Sequence, residues 1–180
     1  MQHSRVLIYN TLTEPVHDDD GFESIRDYQT LLTRLKENKP FFRLSYRGVN
    51  DGSDMETDFD FCCRAVLACR DINFAVEEIG LHSNSWKMPN SLQSIVSAGR
   101  HRGISFYCTS QRASNVHPLI RALSTSIISF KQTEPRDLQW LEEVMGEENA
   151  LKVSQLGIHE KFEWSDTAHS QNTDLDYQSK

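Results

Sequence analysis

The sequence has no long hydrophobic run and few cysteines. No apolar stretch in its 180 residues approaches the roughly 18 residues that cross a membrane. The N-terminal apolar run is too short and too β-branched for a signal peptide. The four cysteines form no CxxC pair, and no histidine lies at zinc-finger spacing from them. We therefore expect a cytoplasmic protein with reduced thiols and no membrane partner.

Acidic residues are missing from one long segment. Residues 79–133 contain no Asp and no Glu, although the chain has 26 acidic residues and a net charge of −7. The same segment carries six basic residues: Lys87, Arg100, Arg102, Arg112, Arg121 and Lys131. A basic block inside an acidic protein favours an anionic partner such as a phosphate, a nucleotide or DNA. The alternative is a basic face that balances acidic neighbours.

Short apolar segments alternate with amphipathic ones along the chain. The pattern predicts strands at 5–9, 41–46, 72–76, 104–108, 126–130 and 162–164. It predicts helices at 22–36, 57–70, 116–123 and 134–145, and one that begins near Asn90. This alternation is typical of an α/β fold with a mainly parallel sheet flanked by helices, and its strands are expected to be buried. Residues 1–164 then form one domain, and residues 165–180 a polar, disordered tail.

Two carboxylates follow one of these strands. INFAV, residues 72–76, leads directly into Glu77 and Glu78. Ligands of open parallel sheets bind at the carboxyl ends of the strands. A carboxylate pair at that edge can hold Mg²⁺ and polarise an attacking water. The alternative is that the strand leaves the core there and both acids are only solvated.

The next strand ends in an amide and a cation. The run GRHRGISFYCTSQR places Arg100 and Arg102 in a turn before the strand, and Gln111 and Arg112 after it. An amide at a strand end can orient a water or contact a γ-phosphate, and a neighbouring arginine can neutralise developing charge. The order strand, acidic pair, helix, basic turn, strand and glutamine is more specific than any one of its parts.

Residues 72–145 resemble the FtsK/HerA-type branch of P-loop ATPases, and within it the DNA-packaging and DNA-transfer ATPases. The string GRHRGIS…SQR…VHP…IRA carries most of this resemblance. It implies a RecA-like P-loop NTPase core, with ATP and Mg²⁺ as cofactors and DNA as a partner. In it Glu77 matches the Walker B acid that helps to hold Mg²⁺, Glu78 the acid that activates water, and Gln111 the polar sensor.

The resemblance also assigns the basic residues and the assembly. Arg100 and Arg102 match a basic turn near subunit contacts, Arg112 belongs to the sensor turn, and Arg121 matches a basic position before the last core strand. An arginine finger acting across the interface of a homo-oligomeric ring is the corresponding hypothesis. The cellular setting implied is a bacterial, archaeal or viral-host cytosol.

The sequence departs from the family in two places. Glu77 stands where the family has aspartate, and no glycine in the chain belongs to a GxxxxGK[ST] phosphate loop. In the family the Walker A strand lies between the sensor strand and the last core strand. We therefore expect a core without the Walker A strand–loop–helix, in which 104–108 and 126–130 either pair with each other or leave a gap. Either the chain is a fragment, or a partner chain supplies the missing half, or the sheet has closed up.

Three functions fit these residues. The first is the Walker B and sensor half of an ATP-driven DNA translocase. The second is a catalytically inactive module of the same ancestry that binds DNA or an ATPase partner. The third is a nuclease or phosphohydrolase that uses Glu77 and Glu78 with a metal, although no third acid or histidine lies near either strand end in the sequence.

Overall fold

Five parallel strands form the sheet of the first of two compact units. The computed structural model describes residues 5–11, 20–48 and 55–166, and of these the first unit comprises the residues up to 111 together with 115–117. The sheet has the order β2-β3-β1-β4-β5, and every neighbouring pair is parallel. Its strands are β1 (Arg5–Tyr9), β2 (Glu23–Ile25), β3 (Phe42–Tyr46), β4 (Ile72–Val76) and β5 (Ile104–Cys108).

Three helices of this unit cover one face of the sheet. They are α1 (Tyr28–Lys36), α2 (Met55–Cys69) and α3 (Asn90–Ala98). The connections β2-α1-β3, β3-α2-β4 and β4-α3-β5 all step in the same direction across the sheet. Right-handed crossovers that step in one direction place their helices on the same face. The core therefore lies between this face and the helices, and its fully buried side chains include Leu7, Leu44, Phe59, Phe74, Val76 and Leu92.

The other face of the sheet is partly open. Burial alternates along β1 and β4, and β5 is exposed at every second residue. Tyr107 is 57% exposed, whereas parallel sheets are normally covered on both faces. The burial expected for the strand at 104–108 therefore holds on one face only. We call the partly exposed residues Val6, Ile8, Asn73, Ala75, Ser105 and Tyr107 the open face.

The second unit contains three helices and a two-stranded sheet. Within the part of the chain that the structure describes, it comprises residues 112–114 and 118–166. Strand β6 pairs with β7 in antiparallel register, with Ile128 opposite Glu163. Ile128 and Phe130 are 61% and 58% exposed. The elements of the unit are α4 (Pro118–Leu123), β6 (Ser126–Phe130), α5 (Pro135–Met145), α6 (Glu147–Gln155) and β7 (Lys161–Ser165).

The strands at 104–108 and 126–130 do not pair with each other. Among the described residues, β5 pairs with β4 alone and β6 pairs with β7 alone. Of the two outcomes that the sequence left open, closure of the sheet by pairing of 104–108 with 126–130 is therefore wrong. One edge of β5 keeps backbone N–H and C=O groups with no strand partner in the described part of the chain.

Most elements lie where the sequence places them. Strands at 5–9, 72–76, 104–108 and 126–130 and the helix ending at 145 have the predicted bounds or nearly so. The helix predicted over 22–36 is shorter, because Glu23–Ile25 forms β2 and Asp27 caps α1 by accepting a hydrogen bond from the Thr30 N–H at 2.8 Å. Helix α6 was not predicted. Residues 167–180 of the expected tail lie outside the described residues.

Two further expectations concern cysteines and membranes. All four cysteines are free thiols, and Cys62 and Cys63 are buried side by side in α2. Burial raises the pKa of Cys63, which keeps its thiol protonated at neutral pH. None of the helices in the described ranges combines the length and apolar character that a bilayer crossing needs.

Candidate functional site

The ends of β4 and β5 meet at the carboxyl edge of the sheet. Val76 and Cys108 lie opposite each other, and the Thr109 N–H donates to the Val76 carbonyl at 3.0 Å. The two strands therefore end at the same level. Their next residues, Glu77 and Glu78 on one side and Thr109 to Gln111 on the other, share one rim.

Glu78 and Gln111 are directly connected. The Gln111 backbone N–H donates to Glu78 Oε1 at 2.9 Å, and the Glu78 N–H donates to Thr109 Oγ1 at 3.2 Å. The Ile79 N–H donates to the Thr109 carbonyl at 2.9 Å. The Gln111 side chain takes no part in these bonds and is exposed. The structure thus places the two predicted residues at one rim, with the Gln111 side chain available to a ligand.

The Glu78 backbone is in the left-handed region. Its φ is 47° and its ψ is 60°, a conformation that costs a residue with a Cβ roughly 1–2 kcal/mol. Strained residues of this kind persist where surrounding bonds fix them, and they are concentrated at functional sites. Here the bonds to Thr109 and Gln111 hold the turn. In this conformation the Glu78 carboxylate lies at the end of β5, where it accepts the Gln111 N–H.

Glu77 faces the end of β1. Its N–H donates to the Tyr9 carbonyl at 3.1 Å, and its own carbonyl accepts a hydrogen bond from Thr11 Oγ1 at 2.7 Å. The side chain is half-buried. The two acids of the pair therefore have different surroundings, Glu77 between β1 and β4 and Glu78 between β4 and β5. Carboxylate oxygens suit Mg²⁺, and the described residues contain no cluster of three or more His, Cys, Asp or Glu side chains that could hold a metal without help.

A polar cluster beside Glu77 was not predicted. Thr11 Oγ1 lies 3.0 Å from His82 Nε2. Burial lowers the pKa of His82 to about 4, so the imidazole is neutral at physiological pH. Asp58 accepts hydrogen bonds from the hydroxyls of Tyr9 at 2.9 Å and Tyr46 at 2.5 Å. Nothing in the sequence signals these pairs, because their members are far apart along the chain.

Burial and Asp58 act together on the two tyrosines. Burial raises the pKa of Tyr9 and of Tyr46 well above the usual value, and the neighbouring Asp58 carboxylate raises it further. Both phenols therefore stay protonated and remain hydrogen-bond donors to Asp58. This arrangement ties the ends of β1 and β3 to the first turn of α2, next to the rim.

Arg100 and Arg102 lie at the opposite edge of the sheet from Glu78. They precede β5, whose five residues span about 16 Å at roughly 3.3 Å each. Arg102 donates from Nη1 to the Leu67 carbonyl at 3.2 Å, and Arg100 is exposed. Neither guanidinium is positioned to reach the Glu78 carboxylate of its own chain.

Arg112 and Arg121 form ion pairs within the second unit. Arg112 Nε donates to Asp137 Oδ2 at 2.7 Å, and the Ser114 N–H donates to Asp137 Oδ1 at 2.8 Å. Arg121 pairs with Glu143 and lies over the Trp140 ring. The buried Asp137 was missed because neither its burial nor its partners can be seen in the sequence.

The acid-free block is not a free basic surface. Lys87 pairs with Glu56 at 2.7 Å, and Arg112 and Arg121 pair with acids of the second unit. Three of the six basic residues are therefore balanced by carboxylates from outside the block. Of the two readings that the sequence left open, this favours the one in which part of the block balances acidic neighbours.

Comparison with known proteins shows the fold. No protein-family model and no curated protein matches the sequence. The genome packaging NTPase B204 of Sulfolobus turreted icosahedral virus 2 in complex with AMP superposes with a TM-score of 0.71 at 15% identity, over 91% of this chain and 78% of that one. The complex with ATP-gammaS gives a TM-score of 0.62 at 15% identity, over 91% and 92% of the two chains.

A second virus provides a similar structure. B204, the DNA-packaging ATPase of Sulfolobus turreted icosahedral virus, gives a TM-score of 0.65 at 17% identity, over 90% of this chain and 77% of that one. The α/β class with a mainly parallel, helix-flanked sheet is confirmed. The chain shares its fold with these B204 structures, in agreement with the resemblance seen in the sequence.

Proposed function

We propose that this chain forms the Walker B and sensor half of an ATP-driven DNA translocase of the packaging or transfer type, acting in the cytoplasm. The observation that carries the proposal is the bond between the Glu78 carboxylate and the Gln111 N–H at the carboxyl edge of a parallel sheet. Ligands of such sheets bind at this edge. The similar structures belong to a genome packaging NTPase and a DNA-packaging ATPase.

Each rim residue has a role suited to its chemistry. The Glu78 carboxylate accepts one hydrogen bond from the Gln111 N–H, and its remaining lone pairs can accept a hydrogen bond from a water molecule. It would orient and polarise the attacking water. The exposed Gln111 amide would contact the γ-phosphate. Glu77 would hold Mg²⁺, which when bound neutralises charge on the phosphates.

The phosphate cradle would come from outside these 180 residues. No GxxxxGK[ST] is present in the sequence, so backbone amides that wrap the phosphates are lacking. The outer edge of β5 fits a further parallel strand, and the open face with Tyr107 fits the helix that would follow it. A strand–loop–helix in this place would pair the edge, cover the face and bring a phosphate loop to the rim.

The basic residues suit a ring. Because Arg100 and Arg102 lie at the amino edge, they would serve as arginine fingers only for a neighbouring subunit, in trans. Arg112 of the sensor turn and Arg121 of α4 would contribute further positive charge, although each forms an ion pair with an acid of the second unit. DNA phosphates would bind the basic side chains that form no ion pair in the assembled ring, so the affinity for DNA should fall as the salt concentration rises.

The second candidate is an inactive module of the same ancestry. The missing GxxxxGK[ST] favours it, since an ATPase fold without a phosphate loop binds nucleotide poorly. Such a module would use the same exposed elements to bind DNA or a ring of active subunits. The third candidate, a metal-dependent nuclease, gains no support from the described residues, because no cluster of three potential metal ligands forms there.

ATP hydrolysis with and without duplex DNA separates the three candidates. The protein is assayed as an N-terminally extended chain that carries a GxxxxGK[ST] strand–loop–helix, and as the 180 residues alone. We expect hydrolysis that duplex DNA stimulates in the extended chain, and none above background in the shorter one. An extended chain that does not hydrolyse ATP would support the inactive module. Cleavage of DNA by metal without ATP would support the nuclease.

A further inference from the structure

Thr11 links the end of β1 to the acidic turn. Its Oγ1 lies 2.7 Å from the Glu77 carbonyl oxygen and 3.0 Å from His82 Nε2. Thr11 and His82 therefore lie directly beside the backbone of Glu77.

The hydrogen positions follow from the chemistry of the three groups. A carbonyl oxygen only accepts, so the single Thr11 hydroxyl proton is donated to Glu77. The Thr11 oxygen must then accept from His82, which places the imidazole proton on Nε2. His82 Nδ1 is inaccessible to solvent and has no hydrogen-bond partner among the described residues. The ring is therefore held in one orientation by the Thr11 bond rather than by a partner on its other nitrogen.

Aromatic packing fixes the ring as well. The Phe59 ring stacks on the His82 ring with centroids 4.2 Å apart. The Tyr9 ring packs against His82 in a T-shaped arrangement, with centroids 4.9 Å apart. Tyr9 also supplies the carbonyl that accepts the Glu77 N–H. Both backbone polar groups of Glu77 are thus bound to the end of β1, one through Tyr9 and the other through Thr11.

The next residue depends on this anchor. Glu78 has positive φ, and its carboxylate reaches Gln111 only if the chain leaves β4 in the observed direction. We propose that Thr11 and His82 are positioning residues, which hold the Glu77 carbonyl so that the Glu78 carboxylate stays bonded to the Gln111 amide. The value of this for catalysis rests on the proposed function, but the positioning itself does not.

Amide hydrogen exchange at Gln111 tests the inference in the chain without nucleotide. Thr11→Val removes the hydroxyl, and His82→Phe removes the N–H but keeps the ring against Phe59. Each should speed Gln111 exchange about fivefold, since a bond of average strength is lost. Thr11→Ser keeps the hydroxyl, and His82→Gln can place an N–H where Nε2 was. Both should exchange like the wild type.

Exchange at Phe74, in the middle of β4, reports whether the sheet is intact. Unchanged Gln111 exchange in Thr11→Val and His82→Phe, with Phe74 still protected, would overturn the inference. If Thr11→Val also exposes Phe74, His82→Phe alone decides. Since no ATP is used, a failure of the ATPase proposal leaves this result standing, and a failure here leaves the ATPase proposal to its own assay.

Discussion

Replacing Glu78 with glutamine should lower ATP hydrolysis by the extended chain at least about 100-fold, which is the lower range for loss of a general base. The amide keeps the size of the side chain, and its oxygen can still accept the Gln111 N–H. The turn should therefore survive, while the group that attracts a proton from water is lost. Steady-state hydrolysis and equilibrium binding of ATP, measured on the same samples, should show a lower rate at unchanged affinity.

The matched control for this variant is Glu163→Gln. Glu163 lies in β7, is 60% exposed and forms a surface ion pair with Lys161. Its replacement should leave hydrolysis within about twofold of the wild type, because exposed pairs contribute little. Wild-type hydrolysis by Glu78→Gln would remove Glu78 from the catalytic machinery.

Asp137→Asn should destabilise the protein by about 2–4 kcal/mol in urea denaturation. The carboxylate is buried and accepts bonds from Arg112 Nε and the Ser114 N–H. Removing one partner of a fully buried pair costs about 3–5 kcal/mol, and less is expected here since Arg112 is half exposed. Glu134→Gln is the control, because Glu134 is exposed and lies 3.7 Å from the same guanidinium. It should cost less than about 1 kcal/mol.

The stability lost in Asp137→Asn should depend on pH and should be smaller in acid than at neutral pH. Burial by itself raises the pKa of Asp137, but the Ser114 N–H and the Arg112 guanidinium outweigh it, and the pKa lies below its usual value. A carboxyl whose pKa is lower in the folded state stabilises the fold above its unfolded pKa, and this stabilisation is lost as pH falls through the folded pKa. The difference between wild type and Asp137→Asn should shrink in acid. A difference that is constant from neutral pH to pH 2 would contradict this account.

The strands and their ends could be predicted because their signals are local. INFAV followed by two glutamates, and ISFYC followed by polar residues, mark where each strand leaves the core. Parallel pairing then places both ends at one edge without further information. This is why the proximity of Glu78 and Gln111 could be anticipated from order alone. Strand β2 could not, because it has three residues and buries only Ile25.

The contacts around the rim depend on distant residues. Thr11 and His82 are 71 positions apart, and Tyr9 and Asp58 are 49 apart. The ion pairs of the basic block also join distant residues, since the acids that pair with Lys87 and Arg121 lie 31 and 22 positions away. Charge along the sequence therefore overstated the free basic surface. Only the folded chain shows which cations are already paired.

The face of the sheet that stays partly open was also beyond the sequence. Apolar strands such as 104–108 predict burial on both sides, and the sequence gives no measure of what is available to cover them. The crossover directions put α1, α2 and α3 on one side. Four of the six residues of the open face, Val6, Ile8, Ala75 and Tyr107, are apolar, which is consistent with a further element docking there.

Calorimetric titration with MgATP is the most direct test of the claim that this rim serves a triphosphate whose cradle lies outside the chain. The 180 residues alone should bind MgATP more weakly than about 1 mM, and the chain extended by a GxxxxGK[ST] strand–loop–helix should bind within the range of roughly 1 μM to 1 mM common among enzymes. Micromolar binding of MgATP by the 180 residues alone would contradict the account.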